Sequence, residues 1–306
     1  MPQVQKAILV LNPLKENARA VAEEIRAELE GRGAAVTTFA VSDQPASVQD
    51  GRWDIAFSLG GDGTVLYTAR NFAPADTPIM PIHLGTVGFL AGVKRHEWLA
   101  VYERWLNNTA LISPRSMLGV CVSREAASAQ AASAAADIVF TNACLNDTVI
   151  SSAGKARLIR LHLTTELASG ECAELGRYRC DGLIMATPTG STAYSMAAGG
   201  PILDPEMEAV VVSPVCPFTL SNRPLVLPSR QILRVTVEKE QHSGVMLTVD
   251  GHDAFELKPC DIVTIEHLPH YARLITADRS SYYSALKEKL RWGDGGVSNP
   301  GGLTHA

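Results

Sequence analysis

Gly60-Gly61-Asp62-Gly63-Thr64 brings glycines, an acid and a hydroxyl together where an apolar run ends. Glycines tolerate positive φ and let a phosphate come close to backbone N–H groups. A helix beginning just after such a loop adds partial positive charge at the same place. The acid does not fit simple phosphate storage, because Asp62 would repel a phosphate unless it held a metal or took a proton from an attacking hydroxyl. The combination points to phosphoryl transfer. The plain alternative is a tight turn with Asp62 capping a helix, a position that favours aspartate. The chain has no GxxxxGK[ST], GxGxxG or GxSxG string, which excludes the common phosphate, dinucleotide and nucleophile-elbow motifs.

Two further stretches carry polar chemistry. In "CDGLIMATPTGSTAYSMAAGGPI" (180–202), Asp181 opens an apolar strand that leads into Thr189, Ser191, Thr192 and Tyr194. Short hydroxyls can meet a sugar or base edge and a tyrosine ring offers a flat apolar face, although the string also reads as a polar loop. In "LNDTVI", Asn146 and Asp147 close a strand; they suit adenine or ribose hydroxyls, and equally a turn or cap.

These residues need elements to hold them. Residues 7–11 are continuously apolar, as in a strand covered on both faces. Ala18, Ala22, Ile25 and Leu29 follow at helical spacing, with Gly31 and Gly33 as the stop. Strands at 35–41, 53–60 and 78–85, with a helix from Thr64 to Phe72, complete a β-α-β-β-α-β order. That order predicts an open, mostly parallel α/β domain over residues 1–112, closed by the helix "HEWLAVYERWLNN". "ISPRSM" then turns the chain into a β-rich, antiparallel, sandwich-like domain over 113–277. There Ile159, Leu161 and Leu163 alternate with Arg160, His162 and Thr164 in a half-buried period of two. "EAASAQAASAAAD" (125–137) reads as a long hairpin insert. Residues 278–292 read as a helix packing back on the first domain, and 293–306 as a disordered tail.

With 306 residues, 46% hydrophobic and 19% charged, the composition is that of a folded globular protein rather than a disordered chain. A net charge of −5 without clustered Lys and Arg argues against a nucleic-acid partner. No apolar run reaches a membrane span and the N-terminus lacks the pattern of a signal peptide, so a cytoplasmic setting without membrane partners is expected. Six spaced cysteines without a CxxC pair read as free thiols, and His267 and His270 in "HLPH" lack further ligands nearby.

The ordered set GGDGT (60–64), "HLGTVGFLA" (83–91), "LND" (145–147), "CDGLIMATPTGSTAYSMAAGGP" (180–201) and "SPVCPFTLSNRPLVLP" (213–228) resembles the NAD kinase family, which phosphorylates the adenosine 2′-hydroxyl of NAD to form NADP. The likeness runs from "NPLKENA" to about residue 277. It implies that Asp62 is the catalytic aspartate, on a phosphate loop formed by Gly60, Gly61, Gly63 and Thr64. It also implies Phe89, Asn146 and Asp147 in the dinucleotide pocket, with Thr189, Thr192, Ala193 and Tyr194 as the adenine and ribose wall. Asp181 would approach the far end of the dinucleotide, across a subunit boundary; Arg179 would meet the new phosphate, with a solvated surface arginine as the alternative; and His252 would lie near the nucleotide or serve a β-turn. ATP, or also polyphosphate, is the implied donor, with Mg²⁺ as cofactor, and a homodimer or homotetramer is the implied assembly. An aspartate near its reference pKa of about 3.9 is a weak base, so alignment and charge neutralisation would dominate such a transfer.

Two positions depart from the family pattern. Asp147 stands where glutamate is usual, and His83 stands where many members have asparagine, in a loop-holding role. The alternatives are a lipid kinase of the diacylglycerol or sphingosine type, which would carry a GTGND string absent here, and a non-catalytic NAD(P)-binding sensor.

Overall fold

The computed structural model describes residues 4–41, 51–85, 88–90, 92–124, 137–154, 158–167, 170–219, 221–278 and 280–290. Most of the hairpin insert at 125–137 and all of the tail at 293–306 lie outside the described residues.

The chain opens with β1 (Lys6–Leu11), α1 (Ala18–Gly31), β2 (Ala35–Ala40), β3 (Ile55–Gly60), α2 (Asp62–Phe72), β4 (Ile79–His83), β5 (Val93–Lys94) and α3 (Trp98–Leu106). All the strand pairs among these elements are parallel. The apolar run of β1 follows from its position in the middle layer. Ala7, Leu9 and Leu11 face the core shared with α1 and α3, while Ile8 and Val10 face the one shared with α2. Each fully buried leucine or isoleucine there contributes about 1.5–3 kcal/mol. Ala18, Val21, Ala22, Ile25 and Leu29 form the buried face of α1, and Gly33, at φ 89°, ends it in the left-handed region that glycine adopts without penalty.

The second part contains β6 (Leu111–Arg124), β7 (Asp137–Cys144), β8 (Asp147–Ala153), β9 (Ile159–Glu166), β10 (Cys172–Cys180), β11 (Gly182–Ala186) and the short α4 (Tyr194–Ala197). It continues with β12 (Ala209–Val215), β13 (Leu225–Pro228), β14 (Ile232–Val237), β15 (Gly244–Val249), β16 (Asp253–Leu257) and β17 (Ile262–Thr276), and α5 (Ser280–Leu290) closes the chain. One antiparallel sheet has the order β13-β12-β11-β8-β15-β16. It packs against β6, β9, β14 and β17 through a shared core. Leu118, Val120, Leu161, Leu163 and Val235 enter that core from one side, and Ile150, Leu183, Met185 and Leu247 from the other.

The two parts share a sheet. β17 pairs with β14 and, through Leu274, with β4, so the parallel strands and half of the sandwich form one eleven-stranded sheet. β6 runs beside β17 over nearly its whole length. "ISPRSM", expected as the passage between the two domains, is itself strand, and the expected boundary at 112/113 falls inside β6. Among the described residues, 111–116 pair only with β17, which leaves an edge where Pro114 costs no ladder hydrogen bond. Likewise "DIVTIEHL" and "ARLITA" belong to one strand, with a register shift between His267 and Tyr271 around Pro269. From α5, Tyr282 Oη donates to the Leu203 carbonyl (3.0 Å) and Lys289 Nζ lies 4.6 Å from the Phe89 ring centre, so this helix touches both parts.

Candidate functional site

β3 delivers Gly60 to the carboxyl end of the parallel strands, where open α/β sheets bind ligands, and α2 begins two residues later. Asp62 is the first residue of α2 rather than its cap; Gly61 occupies the cap position and supplies no side-chain bond there. First-turn N–H groups lack intrahelical acceptors, so an uncapped start of this kind suits an anion.

The glycines of this loop serve different purposes. None of the three has the positive φ that the sequence allowed for. At Gly60 a Cβ would stand 2.9 Å from the Thr64 Cβ and closer still to its hydroxyl, so packing alone requires glycine. Gly61 has open space over its Cβ position, and Gly63 would make only an ordinary 3.8 Å contact with the His252 ring. The fold itself does not need glycine at 61 or 63.

The Asp62 carboxylate is held from outside its own helix. The N–H of Phe89 donates to Oδ2 at 3.0 Å and that of Leu90 to Oδ1 at 3.1 Å. Gly88 permits this approach, because a Cβ there would overlap the carboxylate. His83, at the end of β4, donates from Nδ1 to the Gly85 carbonyl (3.1 Å), a loop-holding contact.

Facing this loop are three turns of the second part. Asn146 lies between β7 and β8, and Asp147 opens β8, so neither closes a strand as the sequence suggested. Asp250 organises them: its carboxylate accepts from the N–H groups of Leu145 (3.1 Å), Asn146 (2.8 Å) and Asp147 (3.3 Å). Burial pushes the Asp250 carboxyl up, opposed by those N–H groups and by Arg70. Asp147 is raised to about 7, chiefly by burial and then by the charge of Asp250, against a hydrogen bond from the Tyr194 N–H. His252 donates from Nδ1 to the Asp250 carbonyl (2.7 Å), which in the neutral ring leaves Nε2 as an acceptor on the side of Gly63.

The hydroxyl string packs more tightly than a polar loop would. Thr187 bonds the Leu145 carbonyl (2.5 Å), Ser191 that of Pro188 (2.6 Å) and Thr192 that of Thr189 (3.1 Å). Gly190 has no room for a Cβ, which would sit 2.8 Å from the Asn146 Cα and nearer its carbonyl. Thr189 Oγ1 is buried without a protein partner, while Ala193 is half-buried and Tyr194 is exposed.

Asp62, Gly63, Phe89, Asn146, Asp147, Thr189, Tyr194 and His252 thus belong to one neighbourhood, linked by the contacts above and by a core in which Leu90 and Leu145 meet Val65 and Leu66. Arg179 and Asp181 do not join it. They precede β11, whose five residues span about 17 Å before the hydroxyl string begins. Arg179 instead stacks its guanidinium 4.7 Å from the centre of the exposed Phe218 ring. Asp250 and Gly88 were missed in the sequence; the Asp-Gly turn and the Gly-Phe pair were their only signals. Among the described residues no three His, Cys, Asp or Glu side chains are gathered to hold a metal ion.

A strand-to-helix glycine loop with an anchored aspartate, at the carboxyl end of a parallel sheet, is the kind of geometry a phosphotransferase needs. The model of the ATP-NAD kinase N-terminal domain matches residues 13–110, and that of the ATP-NAD kinase C-terminal domain matches residues 145–277. The chain is 37% identical to an NAD kinase of Treponema denticola over 97% of its length and 99% of the relative, and 35% identical to one of Symbiobacterium thermophilum over 93% and 98%. The chain belongs to the NAD kinase family. Its fold is that of yeast NADH kinase, solved with NADH (TM-score 0.80, 24% identity, covering 100% of this chain and 91% of that one). The NAD kinase of Archaeoglobus fulgidus, solved with ATP, is similar at TM-score 0.68 and 24% identity, covering 94% and 99%. Neither the lipid kinase nor the non-catalytic sensor is favoured by these matches.

Proposed function

We propose that this NAD kinase performs its transfer in the cleft between the 60–64 loop and the 145–147 turn, moving the terminal phosphoryl group of ATP to the adenosine 2′-hydroxyl of NAD. The observation that carries the reading is the pairing of an aspartate anchored by two N–H groups with two glycines, Gly61 and Gly63, that the fold does not require. In this reading the carboxylate, oriented by these two N–H groups, receives the proton of the attacking hydroxyl. Because the base is weak, its main effect is to fix the hydroxyl in line with the phosphoryl group.

Asn146, Asp147, Thr189, Thr192, Ala193, Tyr194 and Phe89 supply the adenine and ribose contacts, and His252 Nε2 accepts a ribose hydroxyl or stands beside the phosphates. Mg²⁺ would neutralise phosphate charge. It characteristically takes one or two carboxylates plus substrate phosphates, a requirement that Asp62 fits. In this reading the chain acts as a homodimer or homotetramer in which Asp181 approaches the far end of a dinucleotide bound by a second copy. Arg179, stacked on Phe218, has the setting of a surface arginine rather than of a phosphate contact. The six free cysteines accord with a cytoplasmic setting.

NADP formation from NAD, ATP and Mg²⁺, read through glucose-6-phosphate dehydrogenase, tests the reading, with polyphosphate and NADH in parallel. Asp62→Asn is expected to retain NADP binding and lose turnover by about 100-fold or more. Undiminished turnover in that variant overturns the role of Asp62.

A further inference from the structure

The two halves of the cleft are carried by different parts of the chain, and a side-chain joint registers them. α2 begins with Asp62 and, two turns later, presents Arg70. Arg70 NH1 pairs with Asp253 Oδ2, on the first residue of β16, and Asn142 Nδ2 of β7 donates to the same oxygen at 2.9 Å. The arginine side chain is 13% exposed and the aspartate 35%, so water screens the pair less than an ordinary surface pair.

Asp253 follows directly on the turn that carries Asp250 and His252, and the polar residues of this stretch reach both parts of the chain. Asp250 holds the backbone of 145–147, and His252 lies over Gly63. The Arg70 charge also acts on the Asp250 carboxyl. Helix α2 is therefore tied at its start to the loop that orients Asp62, and near its end to the turn that orients Asn146, Asp147 and His252. A rigid helix fixes the offset between those two points at about 12 Å, from 1.5 Å per residue.

We propose that Arg70 and Asp253, with Asn142, are positioning residues for phosphoryl transfer: their joint sets how far the hydroxyl-addressing carboxylate stands from the turn that seats the nucleotide. This rests on the reading of Asp62 and the 145–147 turn given above. The dinucleotide contacts lie mainly in the second part, so loosening the joint leaves binding largely intact and misaligns Asp62.

The test compares Arg70→Gln, Asp253→Asn, the reversals Arg70→Glu and Asp253→Lys, the reversed double variant, and Asp62→Asn as a reference. Turnover, KM for NAD, NADP affinity and thermal midpoint are measured for each. A misplacement of 1 Å costs on the order of 100-fold, so the single variants are expected to lose about 10-fold or more in kcat, with NADP affinity near wild type. The reversed double variant is expected to recover most of that loss. Where a reversal fails to fold, the near-isosteric Arg70→Gln and Asp253→Asn give the answer. A lowered thermal midpoint with unchanged kcat, or a double variant no better than the singles, overturns the proposal. Loss of activity in Asp62→Asn alone would overturn the joint while sparing the assignment of Asp62; unchanged activity in Asp62→Asn would overturn that assignment.

Discussion

Gly88→Ala tests the geometry at its tightest point. A methyl carbon at this position would stand 2.5 Å from the Asp62 Cγ and 2.8 Å from Oδ2, and closer still to Oδ1. Ordinary contact begins at 3.4 Å and Oδ1 would lie nearer than either of these atoms, so the carboxylate must retreat, or the 88–90 loop must move, by more than about 1 Å. Either shift weakens the bonds from the Phe89 and Leu90 N–H groups, and bonds to a charged acceptor contribute about 1.5–3 kcal/mol each. A misplacement of this size predicts a kcat lower by about 100-fold, equivalent to about 2.7 kcal/mol at the transition state. Steady-state kinetics with saturating ATP and varied NAD, alongside NADP titration and a melting curve, separate the possibilities. The expected pattern is a large fall in kcat with a much smaller change in NAD KM and a folded protein. A kcat close to wild type in a folded variant would refute the claim that the 88–90 backbone aims Asp62.

Gly63→Ala should behave in the opposite way toward stability: the site has room for a methyl group, and alanine is favoured over glycine in a helix by up to about 1 kcal/mol, so the melting temperature should hold or rise. Its kcat/KM should nevertheless fall if, as proposed, the substrate phosphates approach the backbone here; unchanged kinetics would count against phosphate approach at this point. Asp147 makes a pH prediction. Its folded-state pKa of about 7 lies above the unfolded value, so the folded protein retains a proton that the unfolded chain releases near pH 4. The stability contribution is fully present below that unfolded value and is lost as pH rises through about 7, with a ceiling of about 4 kcal/mol at about 1.36 kcal/mol per unit. Asp147→Asn should flatten this decline, and parallel slopes for wild type and variant in denaturant titrations between pH 4 and 8 would show that the carboxyl is not the cause.

The layered first part is largely legible in the sequence because burial imposes short-range periodicity. Residues 7–11 must be apolar throughout, since they face two cores, and Ala18, Ala22, Ile25 and Leu29 recur at the helical repeat. The alternation in β9 follows from one buried face in the same way. β6 and β17 are harder to read: each contains a proline that resembles a break, and only pairing to the other shows that the prolines sit at an edge and a bulge.

The candidate site divides along the same line. By itself the sequence determined the family, the GGDGT loop at a strand-to-helix junction and the residue types available to address a nucleotide, because these depend on local order along the chain. Tertiary structure decided which glycines answer to packing and which leave room for a ligand, that Phe89 and Leu90 hold Asp62 through their backbones, and that Asp250 and the Arg70–Asp253 joint bind the two walls together. Those contacts join residues far apart in the chain through backbone N–H groups and single charges, and such partners leave no periodic signature in the order of side chains.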